Sequence, residues 1–148
     1  MKSLVEKAKS LALILNDPIT GEVYAGSKKK RFKTAATSFL KSLAVDLELE
    51  EGSYGIRFNA GGPAVSGEAT LHGSSIYIQI FQSGYLKSNV IYRTCKGQRD
   101  FTGGTNCFGN VADFVNSDLL SKIKISTIGT FVVFSESSYD LLECQAGD

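Results

Sequence analysis

Residues 91–110 read IYRTCKGQRDFTGGTNCFGN, setting Arg93, Lys96 and Arg99 among the rings of Tyr92, Phe101 and Phe108 and the glycines Gly97, Gly103 and Gly104. Cationic side chains, with backbone N–H groups that glycines can turn into one concavity, suit phosphate oxygens, and aromatic faces suit bases. The stretch holds no paired carboxylates, no nucleophile beside a base and no metal-ligand cluster. Its chemistry is that of holding a nucleotide-like anion, not cutting one. It is neither a Walker loop, since no G-K-[ST] follows, nor a G-x-G-x-x-G fingerprint. A Gly-rich loop is more often an ordinary β-to-α connection, but 97–110 exceeds the usual length, and long ordered loops tend to carry function.

Three further groups invite a chemical reading. Arg57 precedes Asn59, Gly61 and Gly62, so a guanidinium and open backbone meet in one place; alone, it reads as an arginine at a sheet edge. His72, the single histidine, shares a strand face with Glu68 and Thr70. As an acid–base pair Glu68 and His72 would serve a hydrolase, but alternating polar residues are most simply a strand's wetter face. The run Lys28, Lys29, Lys30, Arg31 and Lys33 reads as a solvated helix start. Its charge opposes the helix dipole, which leaves a modest case for an anionic second ligand.

These residues need elements to position them. Leu4, Ala8, Leu11 and Leu15 recur at helical spacing up to the Asp17-Pro18 stop, although Leu11 to Leu15 also fits a strand pairing with Glu22 to Ala25. Phe32, Ala36, Phe39, Leu43 and Leu47 form a second helical stripe, ended by Glu50, Glu51 and Gly52. The period then changes to two: Tyr54, Ile56 and Phe58; Val65, Gly67, Ala69 and Leu71; Ile76, Ile78 and Ile80. With those isoleucines inward, Tyr77, Gln79 and Phe81 take the other face, available to a ligand or partner. Residues 89–96 read as another strand. After the loop 97–110, Asn110 and Asp113 cap a helix carrying Val111, Phe114, Val115, Leu119 and Ile123, and Ser126 to Phe134 reads as a last strand. The expected fold is α+β: N-terminal helices packed on a mostly antiparallel sheet, with a further helix late in the chain.

At 148 residues, 43% hydrophobic and 21% charged, the chain is expected to fold as one domain spanning 1–148. A net charge of +1 argues against wrapping a long nucleic acid, which calls for a broad positive face. Cys95, Cys107 and Cys144 form no C-x-x-C pair and are odd in number, which supports neither a disulfide framework nor a zinc site and fits a reducing cytoplasm. Leu11 to Leu15 is too short for a membrane span and lacks a signal-peptide cleavage pattern. Neither secretion nor a membrane is expected.

The segments GIRFNAGGPAVSGEATLHGSSIYIQI at 55–80 and YRTCKGQRDFTGGTNCF at 92–108 together resemble the phage protein family called Thoeris anti-defence type one. The resemblance covers the middle of the chain and rests on the order RFNxGGxAVSGExTLH, YIQI, RTCKGxxDxTGGxN. It implies a sponge made in the host bacterial cytoplasm, without cofactor and without catalysis. Such a protein sequesters the cyclic ADP-ribose isomers produced by a TIR-domain sensor, so that Thoeris immunity is not activated. It further implies a homo-oligomer with pockets between subunits, and, for some members, separate sites for the cyclic oligonucleotides of CBASS defence. For such a ligand, Arg57 and Arg99 are the expected pyrophosphate contacts, with Arg93 and Lys96 behind them. Phe81, then Phe101, is the expected platform for adenine. Asn89, Thr105 and Asn106 are expected on ribose hydroxyls. Two other classes stay open: a phosphodiesterase degrading a cyclic nucleotide signal through Glu68 and His72, and a protein-interaction inhibitor of a defence protein using the exposed aromatic face.

Overall fold

A computed structural model describes residues 2–15, 27–60, 67–85, 88–97, 105–116 and 118–127. Helices α1 (Leu4–Leu15) and α2 (Ser27–Asp46) precede strands β1 (Tyr54–Asn59), β2 (Glu68–Gly73), β3 (Ile76–Tyr85), β4 (Ser88–Thr94) and β5 (Cys107–Gly109). A 3-10 turn (Val111–Phe114) and helix α3 (Asp118–Thr127) follow. The five strands form one antiparallel sheet in the order β1-β2-β3-β4-β5, so the architecture is α+β with the helices where the periodicity set them.

Helix α1 starts at a capping box. The Ser3 hydroxyl accepts the Glu6 N–H at 3.2 Å and the Glu6 carboxylate faces the Ser3 N–H at 3.4 Å, satisfying donors that a helix start otherwise leaves open. It stays helical to Leu15, so the competing strand reading of Leu11 to Leu15 is set aside; residues 22–25 lie outside the described residues. Leu4, Ala8 and Leu11 are buried against the stripe of α2, where Phe32, Ala36, Phe39, Leu43 and Leu47 are all in the core.

Helix α2 ends at Asp46, earlier than the Glu50-Glu51-Gly52 punctuation implied. The Leu49 N–H bonds the Ala44 carbonyl at 3.0 Å and the Glu48 N–H bonds that of Val45 at 2.9 Å. This pair of bonds defines a Schellman turn, with Glu48 in the left-handed region at φ 59°. A Cβ makes that conformation costly. Glu48→Gly is therefore expected to raise stability by about 0.5–1 kcal/mol, read as a higher denaturation midpoint with unchanged m-value. A lower midpoint would mean that the Glu48 side chain contributes more than the backbone strain removes.

On the sheet, Ile76, Ile78 and Ile80 are fully buried beneath the helices together with Ala69, Leu71, Val90 and Tyr92. The alternation read from the sequence therefore holds. Burial raises the Tyr92 phenol above its ordinary value of 10.0 by disfavouring the phenolate. The proton is thus held more tightly in the folded chain than in the unfolded one. Stability from the neutral phenol is complete below pH 10 and is lost as pH rises through the folded-state value. An alkaline titration should show Tyr92 titrating late and a stability decline beginning near that pH, with Tyr92→Phe flattening the decline.

Three expectations are corrected beyond the sheet's centre. The long loop 97–110 is interrupted by β5, whose Cys107 pairs with Tyr92 and whose Gly109 pairs with Val90. The helix expected from Val111 to Ile123 is a 3-10 turn followed by α3, with Val111, Phe114, Leu119 and Ile123 still buried and Val115 exposed. Ser126 and Thr127 close α3 instead of opening a strand, and 128–134 lie outside the described residues. Cys107 is disulfide-bonded, so the odd count that supported no disulfide framework does not exclude a single bond. Cys95 is a buried thiol donating to the Gly73 carbonyl at 3.3 Å. No helix among the described residues is long and apolar enough to cross a membrane.

Candidate functional site

With the helices on one face, pleating sends the alternate residues of β1 to β5 to the other. Register arranges them in three rows. Gly55, His72, Tyr77 and Arg93 stand opposite one another across β1 to β4. Arg57, Thr70, Gln79, Ile91 and Phe108 form the next row, and Asn59, Glu68 and Phe81 the third. Successive rows lie about 6.6 Å apart along the strands, and β1 and β4 are three strand spacings apart, about 14 Å.

A chain of contacts runs along this face from Arg57 to Arg93. His72 Nε2 lies 3.0 Å from the Gly97 carbonyl oxygen, which only accepts, so Nε2 carries the ring proton and donates it. His72 Nδ1 lies 3.4 Å from the Arg57 guanidinium, which only donates, so Nδ1 accepts. A second ring proton would point at a cation. The imidazole packs edge-on against Tyr77, with centroids 4.9 Å apart at 79°, and the Arg93 guanidinium carbon sits 3.9 Å from the centroid of that ring. Histidine and tyrosine are buried; Arg93 is held on the sheet face by its stack on Tyr77, whereas Arg57 stays exposed on the edge strand β1 with a long contact to His72.

His72 is therefore not the wet face of a strand. It links β1 to the start of the glycine-rich loop, a role that alternation alone does not reveal because it depends on which strands are neighbours. Its acceptor nitrogen is directed at Arg57. Glu68 lies four residues along the same strand, about 13 Å away, so the acid–base pair considered for a hydrolase does not meet. Tyr77, expected to be available to a ligand, is enclosed between His72 and Arg93.

At the other end of the face Phe81 is half-buried beside Glu68, its partner across β2 and β3. Thr70 and Gln79 bond each other between the two ends, at 3.3 Å. The backbone approaches closely just before Glu68. The Gly67 carbonyl accepts the Gln82 N–H at 2.9 Å and the Gly67 N–H donates to Gln82 Oε1 at 3.0 Å, at a position where an added Cβ would come within 2.8 Å of the Phe58 ring.

Asn89 does structural work that its type alone did not disclose. Its N–H donates to Asn110 Oδ1 at 3.2 Å, and its own Oδ1 accepts the Val111 N–H at 2.8 Å, clasping β4 to the 3-10 turn. The Asp113 carboxylate accepts the Asn110 N–H at 2.9 Å, as the cap signal implied. Asn89→Ala is expected to cost about 1 kcal/mol of ligand-free stability, seen as a lower melting temperature. An unchanged melting temperature would return Asn89 to a purely ligand-facing role.

The remaining site residues are spread unevenly. Lys96 is exposed just beyond β4; Thr105 and Asn106, also exposed, immediately precede Cys107, which pairs with the residue next to Arg93. Arg99 and Phe101 lie outside the described residues. The basic run divides: Lys29 is buried and bonds the Ala60 carbonyl at the end of β1, whereas Lys30, Arg31 and Lys33 are exposed, Lys33 lying 5.7 Å from the Phe58 ring centroid. Among the described residues, no three His, Cys, Asp or Glu side chains gather to hold a metal ion. No protein-family model, curated protein or solved structure matches the chain.

Proposed function

We propose that the chain is a phage anti-defence sponge. It binds cyclic ADP-ribose isomers made by a TIR-domain sensor in the host bacterial cytoplasm and withholds them, uncleaved, from Thoeris immunity. The observation that carries the reading is the placement of Arg57, Arg93 and Phe81 on the sheet face opposite the helices, with Arg93 stacked on Tyr77 and Arg57 beside His72. Preorganised cations suit a pyrophosphate, and a half-buried ring at the far end of the same face suits a base. Glu68 beside Phe81 adds an acceptor fit for ribose hydroxyls or an exocyclic amine.

Sequestration requires tight binding, and enclosure by a second subunit of a homo-oligomer would provide it. Separate uptake of CBASS cyclic oligonucleotides belongs to the same proposal. To test it, the purified protein is incubated with TIR-generated cyclic ADP-ribose, freed of unbound ligand, denatured, and the released material weighed by mass spectrometry. Intact cyclic ADP-ribose is the expected product. A hydrolysed product would replace the sponge with a phosphodiesterase, and absence of capture would favour a protein-interaction inhibitor.

A further inference from the structure

A second concavity lies between α1 and α2, off their buried stripes. It is an open groove of about 570 Å³, in the range of small-molecule sites. Lys2 just before α1, Lys7 on α1 and Lys30 and Arg31 on α2 line it, together with Ile14 and Ala35. Among the described residues that line it there is no carboxylate and no aromatic ring. The long stems of the cations add aliphatic wall, and Lys30 and Arg31 are exposed.

Two further features point to an anion here. The first turn of α2 holds no acidic residue, so the cations beside it oppose the helix dipole, a conflict that a bound negative charge relieves. Lys7 is also held across the groove, its Nζ donating to Ser42 Oγ at 2.7 Å and to the Ser38 carbonyl at 3.4 Å. A positive charge is thus kept at the surface of α2 instead of extending into solvent.

We infer that this groove binds a single-chain acyl anion, a carboxylate headgroup held by Lys30 and Arg31 with its aliphatic tail between Ile14 and Ala35. The described residues that line the groove offer no aromatic platform of the kind a base-bearing nucleotide uses, and the clustered cations separate the occupant from a neutral lipid. The site is distinct from the sheet face, so its test does not depend on the sponge reading.

The test titrates decanoate into the isotopically labelled full-length protein below micellar concentration, following backbone amide shifts, with decanol as the uncharged control. Saturable one-to-one binding is expected, with shifts centred on residues 7–14 and 30–38 and decanol at least tenfold weaker. The double variant Lys30→Glu, Arg31→Glu, at exposed positions, should lose at least tenfold in affinity. Ala35→Leu, which narrows the groove without changing charge, should weaken decanoate as well. Lack of saturation, equal binding of decanol, shifts confined to the sheet face, or full affinity in both folded variants would each overturn the inference. Co-sedimentation with phosphatidylglycerol vesicles without saturable binding of decanoate would do so too, assigning the cations to a membrane surface.

Discussion

Arg57→Ala is expected to weaken binding of cyclic ADP-ribose by about 1.5–3 kcal/mol, the value of charge-assisted bonds to phosphate, or roughly 10- to 150-fold. Folding stability should change little, because Arg57 is exposed and its bond to His72 is long. Calorimetric titration of the folded variant checks the first expectation and thermal melting the second. Arg93→Ala provides the contrast. Its guanidinium stacks on Tyr77, so part of its loss should appear as lower ligand-free stability, about 0.5–2 kcal/mol for a partly desolvated cation–π contact. Unchanged affinity in a folded Arg57→Ala protein would remove this arginine from the site and shift the phosphate contacts to the glycine-rich loop.

The opposite pattern, a large loss of stability with intrinsic affinity retained, is expected of Phe39→Ala. Phe39 is fully buried, in an edge-to-face contact with Phe114 at 5.0 Å, at the junction of α2 and the 3-10 turn. Truncation removes buried ring area and leaves a cavity that the surrounding side chains cannot fill, at a cost of about 3–5 kcal/mol. That is a large part of the stability of an ordinary domain, about 5–15 kcal/mol. Chemical denaturation should show a much lower midpoint, while affinity corrected for the unfolded fraction stays near that of the parent. A small shift would mean that the helix layer repacks around the gap.

Much of this fold was legible because burial imposes a period. The stripe from Phe32 to Leu47 and the Ile76, Ile78, Ile80 alternation could satisfy their apolar residues in only one way each, and both are buried as read. Ends were less legible. Glu48 takes a conformation usually left to glycine, so the eye passed to Gly52. Residues 107–109 are too few to show a period, and β5 exists because β4 offers an edge to pair with. At the site, Arg57, Phe81 and Arg93, singled out by residue type, lie on one face of the sheet, while the contacts of His72 and Tyr77 depend on partners in adjacent strands and could not be read from alternation. The clasp made by Asn89 was hidden for the same reason, since an amide's chemistry is equally fit for a ribose and for an orphan N–H at a turn.

The strand order has a kinetic consequence. Each described strand pairs with its immediate neighbour in the chain, so the sheet can grow hairpin by hairpin, while the docking of α1 and α2, and of α3 on β4, joins segments farther apart in sequence. Short closures carry little entropic cost and favour fast folding. The rows that hold Arg57, His72, Tyr77 and Arg93 come into register as those hairpins zip, so the face proposed for binding is assembled by the same local steps that build the sheet.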